Sequence, residues 1–338
     1  MNMVKYILRR ILLMVIVLVG VSVITFGIAH NIPGDPLAAN LGQTAMSDPK
    51  IVAAYTEKWG LDKPVTVQYF NYVKNFLSGD WGTSIRTKRP VLTDLAEAIP
   101  ATFEMATLAT IFSIVFGLLF GIFSAAKHNK LPDHALRFLS LVGISIPAFW
   151  LSILMIYVFY LKLHWVPGSG RFSSQWLGAK FPTGFLIWDA ITCGEPELLK
   201  DALSHLLMPS LVLGASTMGI LTRTVRSSTL EAMQMDYLRT ARAKGLSQGR
   251  ILWKHVTKNA LIPSVTMFGL CYGSLLGGTV LVETLFSYPG IGLYAYKAAS
   301  TLDYPAIMGT TILIAAINVF MNFIVDIIYA FIDPRIRY

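Results

Sequence analysis

The chain is predicted to be an all-α integral membrane protein with six transmembrane helices and both termini on the cytoplasmic side. Three observations carry this expectation. Of 338 residues, 54% are hydrophobic and only 14% are charged, a balance far from that of a soluble domain. Six runs lack Asp, Glu, Lys and Arg: Ile11–Ala29, Met105–Ala126, Phe138–Leu161, Ala202–Thr222, Asn259–Val282 and Tyr304–Val325. Each has about 17–25 residues, enough to cross roughly 30 Å of hydrocarbon as a helix. Finally, with the amino terminus inside, the inner segments hold 16 basic and 4 acidic residues, and the outer ones 12 of each. The excess charge behind the net +9 therefore falls on one side, as the positive-inside rule requires. It is a topological signal and no nucleic-acid footprint.

The first element, residues 1–30, joins a short cytoplasmic start to the first span. Lys5, Arg9 and Arg10 before an apolar stretch, with Gly27-Ile28-Ala29 behind it, also describe a signal peptide. The run is longer than the usual apolar core of a signal, which favours a retained anchor. Residues 31–100 form an external amphipathic segment. Within it Ser47-Asp48-Pro49 opens a helix that Gly60 closes, a capping residue before a first-turn proline and a glycine at the end. A second helix begins at Pro64, with Val65, Tyr69, Tyr72, Val73 and Phe76 on one face, and ends at Gly79. Such helices are expected at the outer membrane surface, where Trp59 and Trp81 also fit.

The core, residues 101–338, holds the remaining spans at about 102–126, 136–161, 204–222, 259–283 and 304–332. The second span carries Ser113, Gly117, Gly121 and Ala125, and the fifth Gly269, Gly273 and Gly277, each a stripe of small residues. Small residues allow close helix approach in lipid, either within this chain or against a second subunit. Pro147 is expected to kink the third span. An external loop, 162–203, follows. In the sixth span Asn318, Asn322 and Asp326 form one polar stripe, and Asp326 has Arg223 or Arg226 as candidate partners. Glu283 closes the fifth span at the outer face, where it would meet a peptide amino terminus or water. Pro147, Glu283, Asn318 and Asn322 are the candidate pathway residues. Cys193 and Cys271 lie in a loop and a span respectively, an arrangement that argues against a disulfide.

The inner loop 223–258 contains Asp236-Tyr237-Leu238-Arg239-Thr240-Ala241-Arg242-Ala243-Lys244-Gly245-Leu246-Ser247. Its pattern predicts a short helix with an apolar and a cationic side. Gly245 stands where a left-handed residue ends a helix, and Ser247 can cap the next. Helix, elbow, helix is the form of a docking element. Asp236, Tyr237, Leu238, Arg239, Ala241, Lys244, Gly245 and Leu246 are its candidate residues, with Leu238, Ala241 and Leu246 as apolar contact and Arg239 and Lys244 as charged rim.

These residues resemble the cytoplasmic coupling loop of the dipeptide/oligopeptide/nickel branch of binding-protein-dependent ABC importer permeases, whose members carry D-Y-x-R-T-A-R-A-K-G-L. Pro33-Gly34-Asp35-Pro36, Glu283-Thr284-Leu285-Phe286-Ser287-Tyr288-Pro289-Gly290 and Asp333-Pro334-Arg335-Ile336-Arg337 extend the resemblance along the chain. It implies a type I ABC importer permease in a bacterial inner membrane, closest to the dipeptide branch. Its implied partners are a second homologous permease, two ATP-binding subunits, an extracytoplasmic substrate-binding protein, membrane lipid and a peptide substrate. A metal chelate such as nickel is the alternative substrate. A secondary transporter is the rival class, but it would need its own coupling-ion site, and no inverted repeat is visible.

Neither a G-x-x-x-x-G-K-[ST] phosphate loop, H-E-x-x-H nor G-x-S-x-G occurs. The six histidines show no ligand spacing. No cofactor, metal or catalytic residue is therefore expected in this chain; ATP hydrolysis would belong to partners.

Overall fold

The computed structural model describes residues 3–31, 47–60, 62–179, 181–277 and 279–332. Pro33–Pro36 and Asp333–Arg337 lie outside them. Helix α1 spans Met3–Asn31, α2 Pro49–Trp59 and α3 Val65–Leu77. The long α4 is Val91–Ala126, α5 is Leu131–Ser145, and α6 is Ala148–Met155, continued as a π-helix over Ile156–Lys162. After α7 (Leu186–Thr192) comes α8, Pro196–Met233, then α9, Tyr237–Ala243. A π-helical turn, Ile251–Val256, feeds α10 at Thr257–Gly277, followed by α11 (Val280–Leu285), α12 (Ile291–Ser300) and α13 (Tyr304–Ile332).

Among the described residues four helices, α1, α4, α8 and α13, are long and apolar enough to cross a membrane. The pair α5–α6 makes a fifth if counted as one span, and it is bent by 104°. The predicted fifth span corresponds to α10, whose 21 residues suffice for the hydrocarbon.

Two ends can be told apart. At one, the basic end, α4 turns into α5 and α8 leads into α9. At the other, the far end, the loops around α7 and α12 gather. Helix α1 runs between them: Arg10 bonds Asp326 of α13 at 2.6 Å, while Ser22 Oγ meets Tyr69 Oη at 2.8 Å and Phe26 packs on Tyr69 and Tyr72. From Arg10 to Phe26 is sixteen residues, roughly 24 Å at about 1.5 Å rise per residue.

The outer helices form for local reasons. Asp48 caps α2 by accepting the Lys50 N–H at 2.9 Å, and Gly60 ends it at φ +65°. In α3, Tyr72 and Phe76 turn inward and Phe76 stacks on Trp81 at 4.1 Å. Val65 lies half exposed instead of on that face.

The core depends on glycine. A Cβ at Gly117 would stand 2.7 Å from Leu221 Cβ, and one at Gly214 would stand 2.8 Å from the Ala109 carbonyl. Ser113 Oγ donates across the same seam to the Gly214 carbonyl at 2.9 Å. The second-span stripe therefore packs α4 on α8 within the chain. Likewise Gly273 and Gly277 of α10 face Asn322 and Asn318 of α13. Both stripes are internal seams.

Candidate functional site

The loop at the basic end begins with α9 and closes on Gly245. The Leu246 N–H bonds the Ala241 carbonyl at 3.3 Å and the Gly245 N–H bonds the Arg242 carbonyl at 2.9 Å. These are the two reverse bonds of a Schellman ending, with Gly245 left-handed at φ +74°. A Cβ there would touch nothing within 4 Å. Gly245→Ala is therefore expected to cost about 1–2 kcal/mol, all of it backbone strain, and Gly245→Asn less, as thermal melts of the two variants would show. Ser247 has the extended cap geometry, but its side chain makes no cap bond. Its carbonyl instead receives the Ile251 N–H at 3.0 Å.

The apolar side of this loop faces its own chain, which corrects the expected division of labour. Leu238 and Ala241 are buried with Ala232, Ile251, Val256 and Ala260, and Leu246 packs against them. They hold the elbow's shape and are not offered outward. Leu238→Ala is expected to cost about 2–5 kcal/mol, checked by loss of thermal stability at unchanged expression. What faces outward is Asp236, Tyr237, Arg239, Arg242 and Lys244. Two further residues had no signal in the motif: Met235 and Trp253 are each more than half exposed. Both are large apolar side chains exposed in the same inner segment as these cations. Asp236 and Arg239 approach only to 3.7 Å and are over four-fifths exposed, so water screens them and they remain available.

Behind this surface lies a buried junction. The carboxylate of Asp133, in the first turn of α5, is fully buried. Its Oδ1 accepts from Ser124 Oγ at 2.5 Å and Arg226 Nε at 2.8 Å. Its Oδ2 accepts the Asn129 N–H at 2.9 Å and Arg226 Nη2 at 2.8 Å. The guanidinium bonds hold this carboxyl well below the usual carboxylate range, against the opposing effect of burial. A carboxylate with a lowered folded-state pKa contributes stability above its unfolded value, about 4, and loses it only as pH falls further. Acidifying from pH 7 to 5 is therefore expected to leave the 127–133 turn as protected from hydrogen exchange, after correction for intrinsic rates. Arg226 is thus committed, and Asp326 pairs with Arg10 instead of Arg223 or Arg226.

The candidate pathway residues have different local roles. Pro147 ends one helix and starts another: Ile146 (ψ 124°) and Pro147 (ψ 136°) are both extended, so the expected kink is a break. Glu283 does not face solvent. It is fully buried, accepting Thr102 Oγ1 at 2.7 Å and the Leu293 N–H at 2.9 Å. It thereby satisfies an orphan donor in the first turn of α12. Asn318 bonds the Ile314 carbonyl at 3.0 Å and packs on Gly277, while Asn322 is exposed beyond Gly273. Asn318 and Asn322 thus share one seam with α10, while Pro147 and Glu283 serve a helix break and a helix start. At the far end it shows an unexpected ion pair, Arg171 Nη2 to Glu104 Oε2 at 2.6 Å, both side chains about nine-tenths buried. A lone Glu at the edge of an apolar run was its only signal in the sequence.

Comparison with known proteins names the family. Residues 117–338 match the family described as "Binding-protein-dependent transport system inner membrane component". Residues 3–106 match its N-terminal companion, "Binding-prot-dependent transport system membrane comp, N-term". The chain belongs to this family of inner-membrane transport components. It is 42% identical to the dipeptide transport system permease protein DppB of Alkalihalophilus pseudofirmus, over 99% of this chain and 100% of that protein. It is 44% identical to the probable D,D-dipeptide transport system permease protein DdpB of Escherichia coli K12, over 96% and 94%. It is 38% identical to the oligopeptide transport system permease protein AppB of Bacillus subtilis, over 99% and 100%. In fold it is similar to a chain of the MetNI methionine ABC transporter in an inward-facing conformation, with a TM-score of 0.50 at 16% identity, covering 71% of this chain and 96% of that one. That likeness shows the type I importer permease fold.

Proposed function

We propose that this chain is the permease subunit of an ABC importer for dipeptides or short oligopeptides, worked by separate ATPase subunits that grip the 236–247 loop. The observation that carries the substrate class is end-to-end similarity to relatives whose names specify dipeptide or oligopeptide transport. The loop's architecture supports the mechanism. Its apolar side is anchored inward, its elbow is fixed by two reverse backbone bonds, and its polar side is exposed. Such an element transmits rigid-body motion and performs no bond chemistry.

In this reading the chain crosses the membrane six times, with the basic end and both termini in the cytoplasm of a bacterial cell. A second homologous permease completes the pathway, two ATP-binding subunits dock beneath, and a substrate-binding protein delivers peptide to the far-end loops. The test is reconstitution of the co-purified complex into liposomes. Uptake of a labelled dipeptide that needs internal ATP and the binding protein is expected. Uptake driven by a proton gradient without any ATPase would reject the reading.

A further inference from the structure

Three helices behave as one mechanical unit. Along α5 and α8, a Cβ at Gly143 would stand 2.8 Å from the Ala215 carbonyl, and one at Gly219 would stand 2.5 Å from the Ser140 carbonyl and 2.8 Å from Ile144. Backbones this close cannot slide past each other without a clash. Helix α4 is keyed to α8 in the same way at Gly117 and at Gly121, where a Cβ would stand 2.7 Å from Val225. All three meet at one carboxylate: Ser124 closes α4, Asp133 opens α5, and Arg226 stands on α8. Seven residues beyond Arg226, α8 ends at Met233, and Ala232 already shares a cluster with Leu238 of the loop. At its other end α5 stops at Ser145. Pro147 has no N–H to carry a helical bond across the break, and the next helix leaves at 104°.

We propose that the Asp133–Arg226 junction is the positioning pair that carries movement of the 236–247 loop into the broken span, with Ile146–Pro147 as the pivot. A fork of two guanidinium bonds on a carboxylate resists rotation as well as separation. Motion applied at the loop therefore reaches α5 as a rigid rotation, and it is taken up where backbone hydrogen bonding is interrupted. The proposal rests on the importer reading and extends it to two residues outside the loop motif.

The experiment uses the full complex in liposomes and measures ATP consumed per peptide imported. Asp133→Asn removes the charge with little change of shape, and Arg226→Lys keeps the charge but loses the fork. Both are expected to raise the ratio, by about 3- to 30-fold for the loss of one coupling contact, with Asp133→Asn the larger. Arg223→Gln, an exposed cation on the same helix, should leave the ratio unchanged. An unchanged ratio in an assembled Asp133→Asn complex overturns the proposal. So does a proportional fall of uptake and hydrolysis, or failure of both variants to assemble, since each makes the pair purely structural. The wild-type arm separates the two levels: without ATP-driven uptake there, the importer reading itself falls, and the junction with it.

Discussion

Arg171→Met is expected to destabilise the far end of the molecule by about 3–5 kcal/mol, because it leaves a buried carboxylate without its counter-ion. Arg171 donates to Glu104 at 2.6 Å and to the Gly184 carbonyl at 2.7 Å. With Arg171 gone, Glu104 keeps the Ile187 N–H at 2.8 Å, which cannot balance a desolvated charge. The pair ties α4 to the segment that begins α7, so the far-end loops should loosen together. Adding Glu104→Gln to Arg171→Met removes the charge and should recover most of the loss, since replacing both partners of a buried pair is often close to neutral. Thermal melts of the purified protein in detergent would show the single variant low and the double variant near wild type. Equal melting of the two would mean that the ion pair has no part in holding this end.

Gly121→Leu is expected to part α4 from α8. A Cβ alone at this position would lie 2.7 Å from both Val225 Cβ and Cγ1, and 2.9 Å from the Thr222 carbonyl. Real side chains do not tolerate such distances, and the backbone carbonyl cannot swing aside. Overpacking of this kind costs about 1–3 kcal/mol even for modest additions, and a leucine adds far more than a methyl. The expected result is loss of monodisperse protein, with partial rescue by Val225→Ala. Gly20→Ala in α1, where a Cβ meets nothing within 4 Å, is the matched control and should behave as wild type. If Gly121→Leu behaves like that control, the seam is not close-packed.

Hydrophobic runs identified the long helices because lipid imposes a length and an apolarity that the chain cannot hide. The elbow was equally legible: Gly245 after an amphipathic heptapeptide has few other uses. Which way that heptapeptide faces was not legible. Leu238 and Ala241 share one side of a short helix, and the pattern alone does not reveal that Ile251 and Val256 return to cover it. The ion pairs were illegible for a related reason. Arg226 finds Asp133 across 93 residues and Arg171 finds Glu104 across 67, so neither lies within the reach of helical spacing. Pro147 announced a disturbance but not its size. A proline can be absorbed as a kink, and only the extended backbone of Ile146 beside it turns the kink into a break. The burial of Glu283 was not legible, because a carboxylate at the end of an apolar run normally meets water, whereas here the first turn of α12 folds back over it.

The importer account rests on the claim that a separate motor grips the outward side of the 236–247 loop. Placing a photo-crosslinking amino acid at Arg239 and at Trp253, in the full complex and in native membranes, tests this directly. The expected adduct from both positions is an ATP-binding subunit, formed with high yield and changed by adding nucleotide, while the same amino acid at the far-end Trp188 yields none. A transporting complex in which neither Arg239 nor Trp253 captures an ATPase would contradict the account.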